Sequence, residues 1–377
     1  MNMKLAWLLP LVVAFAACSG KGKVREPTPL QPVEESQASS STVWSRHTWL
    51  GSDFSQLQVA AEPDAVFVSD RHGEVQALDP SSGERIWRNA LDVRASAGPG
   101  VLDALVVVGT LDGEVVALSR ADGSERWRKN VNSEVMAVPV GAGQLLVVRT
   151  VDGRTYGLNA DTGEEIWQFE RTVPNLTLRG LSEPTLLAGK VYVGLDSGRM
   201  ASLDGLTGRV VWEQLIAAPS GRTELERIAD IDAPIAASAN ELFVASAGGE
   251  VVAVDAETGQ ILWRRPVRTT TSMVTVGERL IVTDTNGVVW GLDTRTGSAD
   301  WTQEGLQYRG TTAPTQQGSL VVVGDMKGYL HWLDPNTGAF VGRGRFGSKG
   351  FQGVLATLDD QLVVQRGDGR VGVLQVQ

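Results

Sequence analysis

Cys18 is the only cysteine in this 377-residue chain. An intramolecular disulfide is therefore impossible, and a cysteine-based metal site is excluded. Histidine is nearly as scarce, with His47, His72 and His331 spread along the sequence. No Ser-His-Asp or Cys-His signature forms around them, and no metal-ligand spacing appears. Positive charge is also short: Lys and Arg number 34 against 44 Asp and Glu, a formal charge of −10. A nucleic-acid groove wants a basic face, so this balance argues against that class. No apolar run approaches the about 20 residues that cross a bilayer as a helix. Sustained helical periodicity is missing as well. The glycines do not build a phosphate loop, because each is accounted for by a hairpin.

Two things are present instead, a leader and a repeat. Lys4 is followed by an apolar or neutral run, Leu5 to Ala17, and then by Cys18. A charged start, a short apolar core and small residues at its end make a signal peptide over residues 1–17. The tail Phe15-Ala16-Ala17-Cys18 resembles a bacterial lipobox, in which the cysteine thiol is acylated and becomes the first mature residue. An ordinary secretory signal that happens to contain a cysteine is the plainer alternative. Ser19, rather than an aspartate, follows the cysteine, which by resemblance to lipoprotein sorting rules implies the outer membrane, facing the periplasm. Residues 18–42 then form a linker rich in Ser, Pro, Glu and Gln, with a root-mean-square reach of about 27 Å.

The repeat occupies the remainder, residues 43–377. Gly249 to Trp263 spells GEVVAVDAETGQILW, a strand, a turn at Thr258-Gly259 and a second strand ending on tryptophan. Gly73 to Trp87 (GEVQALDPSSGERIW), Gly113 to Trp127 and Gly153 to Trp167 repeat it, as do Gly198 to Trp212 and Gly287 to Trp301. Gly328 to Gly342 is a further copy in which glycine replaces the tryptophan. The opening glycines, ending with Gly369, recur every 38 to 51 residues. A strand-turn-strand unit with a period near forty predicts a β-propeller. Short apolar runs such as Leu105-Val106-Val107-Val108 and Leu320-Val321-Val322-Val323 are the buried strands of each unit. The fold expected is all-β, an eight-bladed propeller of four-stranded antiparallel blades.

Each turn residue has a physical task. Glycine in the Asp-Gly and Thr-Gly turns supplies positive φ, and the turn aspartate accepts hydrogen bonds from the turn's own amides. One tryptophan per unit is a packing pattern, a plate between neighbouring blades. The eighth unit stops at Gln377 without its last strand. Thr42-Val43-Trp44-Ser45-Arg46 is the candidate to complete it, closing the ring and removing exposed edges.

Function is sought where the repeat is interrupted. Trp87 to Pro99 and Trp127 to Pro139 are 12 residues, but Trp167 to Pro184 is 17 and Trp212 to Pro234 is 22. These long connections flank the fourth blade and are expected side by side on one face. One carries Leu176-Thr177-Leu178-Arg179; the other carries Glu224-Leu225-Glu226-Arg227 and Asp230-Ile231-Asp232. Apolar residues rimmed by charge have the composition of a protein interface.

The hairpin A-x-D-x-x-T-G-x-x-x-W resembles the quinoprotein-type propeller repeat. That resemblance specifies fold better than activity. A periplasmic quinoprotein dehydrogenase and a ligand- or glycan-binding propeller are the rivals it leaves. The phrases NLTLRG and RTELERIADIDAP, with Gly324 to Trp332, are similar to the BamB family of outer-membrane protein assembly factors. The resemblance implies a non-enzymatic lipoprotein subunit of the β-barrel assembly machinery, with no cofactor. It also implies docking on the periplasmic polypeptide-transport-associated domains of BamA, and association with the other lipoproteins of the complex indirectly. Carried over by position, the contact residues are Leu176, Leu178, Arg179, Asp230 and Asp232, with Cys18 as the lipid site. Unfolded outer-membrane proteins are a further expected partner, by strand addition to a blade edge.

Overall fold

The computed structural model describes residues 25–33, 36–48, 56–174, 176–177, 182–219, 222–223, 228–351 and 353–377. Their strands form eight sheets in one ring, an eight-bladed β-propeller, as the period predicts. Blade 1 contains Ala60–Glu62, Ala65–Ser69, Glu74–Leu78 and Arg85–Ala90. Blades 3 to 7 repeat this order of four antiparallel strands. In every blade the second strand is almost entirely buried, as in Ala65–Ser69 and Leu105–Thr110. A strand covered on both faces has no need of polar alternation, which is why these runs are continuously apolar.

Apolar packing lies between the blades. Phe67 and Trp87 of blade 1 pack with Val108 and Leu118 of blade 2. Val363 and Val373 of blade 8 pack with Val66 and Val68 of blade 1. A similar cluster occupies each boundary. The tryptophans sit at these boundaries. Trp87 donates its indole N–H to the carbonyl of Arg120 in the next blade at 2.8 Å, and Trp263 donates to Thr294 at 2.7 Å. Each ring lies flat on the turn glycine of the neighbouring blade, where a Cβ would collide with it: Trp44 on Gly83, Trp87 on Gly123, Trp263 on Gly297. Glycine is thus required twice over in that turn, for its positive φ of 69° at Gly83 and for the space the indole takes. The turn aspartates accept the amides expected of them; Asp255 takes those of Glu257 and Thr258.

The ring closes through its first strand. Ser40–His47 pairs antiparallel with Arg370–Val376 as the outer strand of blade 8. Trp44 then sits on blade 1, its indole N–H donating to Pro80 at 2.7 Å. One strand was not legible: Gln56–Leu57 adds in parallel to Ala97–Gly98 and makes blade 2 five-stranded.

Antiparallel blades place two kinds of junction on opposite faces. The connections between blades and the turns between second and third strands share one, here the corner face. The Asp-x-x-Thr-Gly turns lie on the other, the hairpin face. In place of a free linker, residues 25–33 and 36–39 lie against blade 7. The Thr28 amide donates to Gln307 at 3.0 Å, and the Gln37 amide donates to Val341 at 2.6 Å.

Candidate partner-binding surface

The two long connections meet at the corner beside blade 4. Thr185–Leu187, Lys190–Gly194, Arg199–Asp204 and Val210–Leu215 are its strands. The Ser182 hydroxyl, at the end of the first connection, donates to the carbonyl of Ala233 in the second at 3.0 Å. The Thr185 hydroxyl donates to Ile235 at 3.1 Å. The side-by-side placement expected from blade order is therefore observed.

The second connection folds closely over blade 4. The Ile216 and Ala217 amides both donate to Gly198 at 2.9 Å. Ile231 is fully buried, and a Cβ at Gly194 would stand in the place of its side chain. Ile231 acts as the peg and Gly194 as the socket, which fixes the residues on either side of the peg.

Those flanking residues are Asp230 and Asp232. Asp230 is 1% exposed and its carbonyl accepts the Ala247 amide at 2.9 Å. Asp232 is half-buried, with both carboxylate oxygens shielded from solvent. Beneath them lies Arg149, a fully buried guanidinium. It donates to the Ser182 carbonyl at 2.9 Å and stands 3.8 Å from the Asp196 carboxylate. Arg149 thus holds the first connection with one nitrogen while its charge faces the acids of the second.

These acids are crowded and poorly solvated. Burial, with the charges of Asp230 and Asp196 added, pushes the Asp232 carboxyl up to about 8, against the pull of Arg149. Burial also raises Asp196, with Arg149 opposing. Glu183 is pushed by burial to about 7, although the Gln58 amide, 3.2 Å away, favours its charged form. Near neutrality the corner therefore keeps a proton on Asp232, which limits the cost of placing several carboxylates together. What the arrangement can do is hold two loops in one shape and present charge.

Of the residues expected to form the interface, Leu176 is 46% exposed, an apolar side chain in water at the outer surface of the first connection. Asp230 and Asp232 face inward and support the loop. Leu178, Arg179 and Cys18 lie outside the described residues. Sequence reading missed Arg149, Glu183, Asp196 and Gln58. Arg149 had a detectable signal. At the fifth position of the second strand the other blades carry Ser69, Gly109, Gly194, Ala245, Thr283, Gly324 and Gln365. A lone arginine there departs from the repeat. Among the described residues, no group of three or more His, Cys, Asp or Glu is placed to hold a metal ion.

Fold, repeat and corner together define an eight-bladed β-propeller with one elaborated corner. The solved quinohemoprotein alcohol dehydrogenase of Comamonas testosteroni shares this fold, with a TM-score of 0.71 at 14% identity over 89% of this chain and 76% of that one. More specific matches follow. The family model described as outer membrane protein assembly factor BamB matches residues 71–238 and 231–376. A curated protein of that name from Kangiella koreensis is 43% identical over 99% of this chain and 96% of its own length. One from Pseudomonas aeruginosa is 46% identical over 92% of each chain. The crystal structure of BamB from Moraxella catarrhalis superposes with a TM-score of 0.80 at 28% identity, covering 89% of this chain and 99% of that one. The chain belongs to the BamB family of outer membrane protein assembly factors.

Proposed function

We propose that the protein is a non-enzymatic scaffold of the outer-membrane β-barrel assembly complex, anchored by a lipid on Cys18 and facing the periplasm. Its blade 4 corner clasps the periplasmic polypeptide-transport-associated domains of BamA. The observation that carries this reading is the fixed meeting of the two long connections, from Ser182 to Ala233, with exposed Leu176 at its surface. Leu176 and Leu178 supply apolar contact, and Arg179 supplies charge. Asp230, Asp232 and Arg149 hold the loops in the shape the partner meets. Family membership supports the assembly role. Such an interface gains from rigidity, because a preformed loop loses less entropy on binding.

A second mode has its own support. The outer strand of blade 4, Val210–Leu215, exposes Val210 at 41%, Val211 at 47% and Leu215 at 38%. An apolar outer strand suits addition of an extended chain such as an unfolded outer-membrane protein.

The test is capture of BamA from detergent-solubilised envelopes. Leu176→Asp, and separately Leu178→Ala with Arg179→Glu, should abolish capture while the thermal melt is unchanged. Undiminished capture by both variants would move the interface elsewhere.

A further inference from the structure

The stretch before the ring is anchored to it by named contacts. We propose that residues 25–33 form a strap seated on blade 7, and that this seat turns the blade 7 corner of the ring toward the membrane. The second half rests on the reading that Cys18 carries a lipid.

The strap reads Arg-Glu-Pro-Thr-Pro-Leu-Gln-Pro-Val, with prolines at 27, 29 and 32. Prolines at this density hold a chain extended in a left-handed helix of three residues per turn. They also remove amide donors, so the carbonyls are what a receptor can read. Blade 7 and its corner read two of them. Arg309 donates from Nη1 to the Thr28 carbonyl at 2.8 Å, and Arg343 donates from Nη1 to the Gln31 carbonyl at 2.6 Å. Thr28 and Gln31 are three residues apart, one turn of such a helix, so their carbonyls share a side. The Thr28 amide, which lies between two prolines, donates to the Gln307 carbonyl at 3.0 Å. At the outer end the Arg25 guanidinium lies over the Tyr308 ring, 5.1 Å from its centroid, and Nη1 donates to the phenol oxygen at 2.8 Å.

The two receptor arginines are themselves fixed. Arg309 is 3% exposed and pairs with buried Asp325 at 2.6 Å. Asp325 also bonds His331 Nε2 at 3.2 Å, and Arg343 donates to His331 Nδ1 at 3.3 Å. His331 thus links the two arginines through hydrogen bonds on both ring nitrogens. A preset pair of donors meeting a pre-extended strap lowers the entropy lost on seating.

The geometry has a consequence for orientation. Tyr308 and Arg309 lie in the connection from blade 6 to blade 7, on the same corner face as the blade 4 loops. Only the stretch from Cys18 to Arg25 remains between lipid and ring, and its contour is at most about 25 Å. A free linker from Cys18 to residue 42 could extend more than three times as far. The corner face at blade 7 is therefore held near the bilayer, and the hairpin face points away.

Two measurements separate strap from anchor. In the full ring with Cys18→Ser, the Thr28 amide should exchange slowly. Arg25→Ala combined with Pro27→Gly, Pro29→Gly and Pro32→Gly should speed it roughly tenfold or more, with the ring's melt unchanged. Equal fast exchange in both proteins overturns the strap. In the acylated protein on phosphatidylethanolamine–phosphatidylglycerol vesicles, a dye at Met326→Cys on the corner face should transfer energy to a membrane-surface acceptor several-fold better than one at Asn336→Cys on the hairpin face. The strap variant should even the two out. Equal transfer in the parent overturns the orientation, whereas failure to bind vesicles overturns the lipid anchor and leaves the exchange result standing.

Discussion

Gly342 and Ala38 meet where the repeat would place a tryptophan. They form a parallel bridge, and any side chain at 342 would run into the Ala38 carbonyl. Blade 8 has no hairpin between its last two strands, so it offers no turn glycine for an indole to rest on. Residues 36–39 pass there instead, and fully buried Trp332 supplies aromatic volume at this boundary. The exception in the repeat is thus a seat for the segment that leads into the first strand. Restoring the motif with Gly342→Trp, or substituting Gly342→Val, should destabilise the ring by about 1–3 kcal/mol through overpacking. Denaturant titration checks this, and a gain in stability would refute the seat.

Closure by a distant strand makes Trp44 as important as any internal tryptophan. Trp44→Ala and Trp263→Ala should each cost about 3–5 kcal/mol, because each empties one blade boundary. Deletion through residue 46 should lower the melting temperature of the whole ring. If Trp44→Ala costs less than a fifth of what Trp263→Ala costs, the first strand is not a structural member.

Arg149 is a positioning residue of the blade 4 corner. Arg149→Leu leaves Asp196 without its cation and the Ser182 carbonyl without its donor. The expected loss is on the order of 3 kcal/mol. Faster amide exchange should be confined to residues 182–185 and 229–235. BamA capture should also fall although Leu176 is untouched. Rapid exchange spread over all blades would mean that Arg149 supports the ring and not the corner.

The corner should also weaken as pH rises. Asp232 goes from 3.8 in the unfolded chain to about 8 in the fold. Between those values the folded protein binds more protons than the unfolded one, so stability falls with increasing pH across that window. Asp232→Asn removes the titration. Its melting temperature relative to the parent should rise from pH 5 to about pH 8 and then level off. Parallel curves for the two proteins over that range would rule out a proton on Asp232.

Much of this molecule is written in its repeat. The glycine period set the blades, the tryptophans marked the boundaries, and the missing last strand pointed to Trp44. All three are repeated or complementary features, which a single sequence displays by comparison with itself. A proline-rich stretch without apolar period reads as a linker, and the contacts that Arg309 and Arg343 make to its carbonyls leave no pattern in a sequence. Gln56–Leu57 was missed because two residues cannot show alternation. Asp230 and Asp232 look like surface charge; their burial follows from Ile231 entering the space left by Gly194, a contact between residues far apart in sequence. Arg149 could have been found by aligning the eight second strands.

Pairing Ser40–His47 with Arg370–Val376 joins a strand made early to one made late. Until synthesis reaches Arg370, the early strand has no partner and the growing row of blades has two open edges. Such edges invite pairing with other chains, so the unfinished protein is itself a candidate for chaperone protection. The final contact is also a check on completeness: a chain that stops short at any blade cannot lock, and is left open to proteolysis.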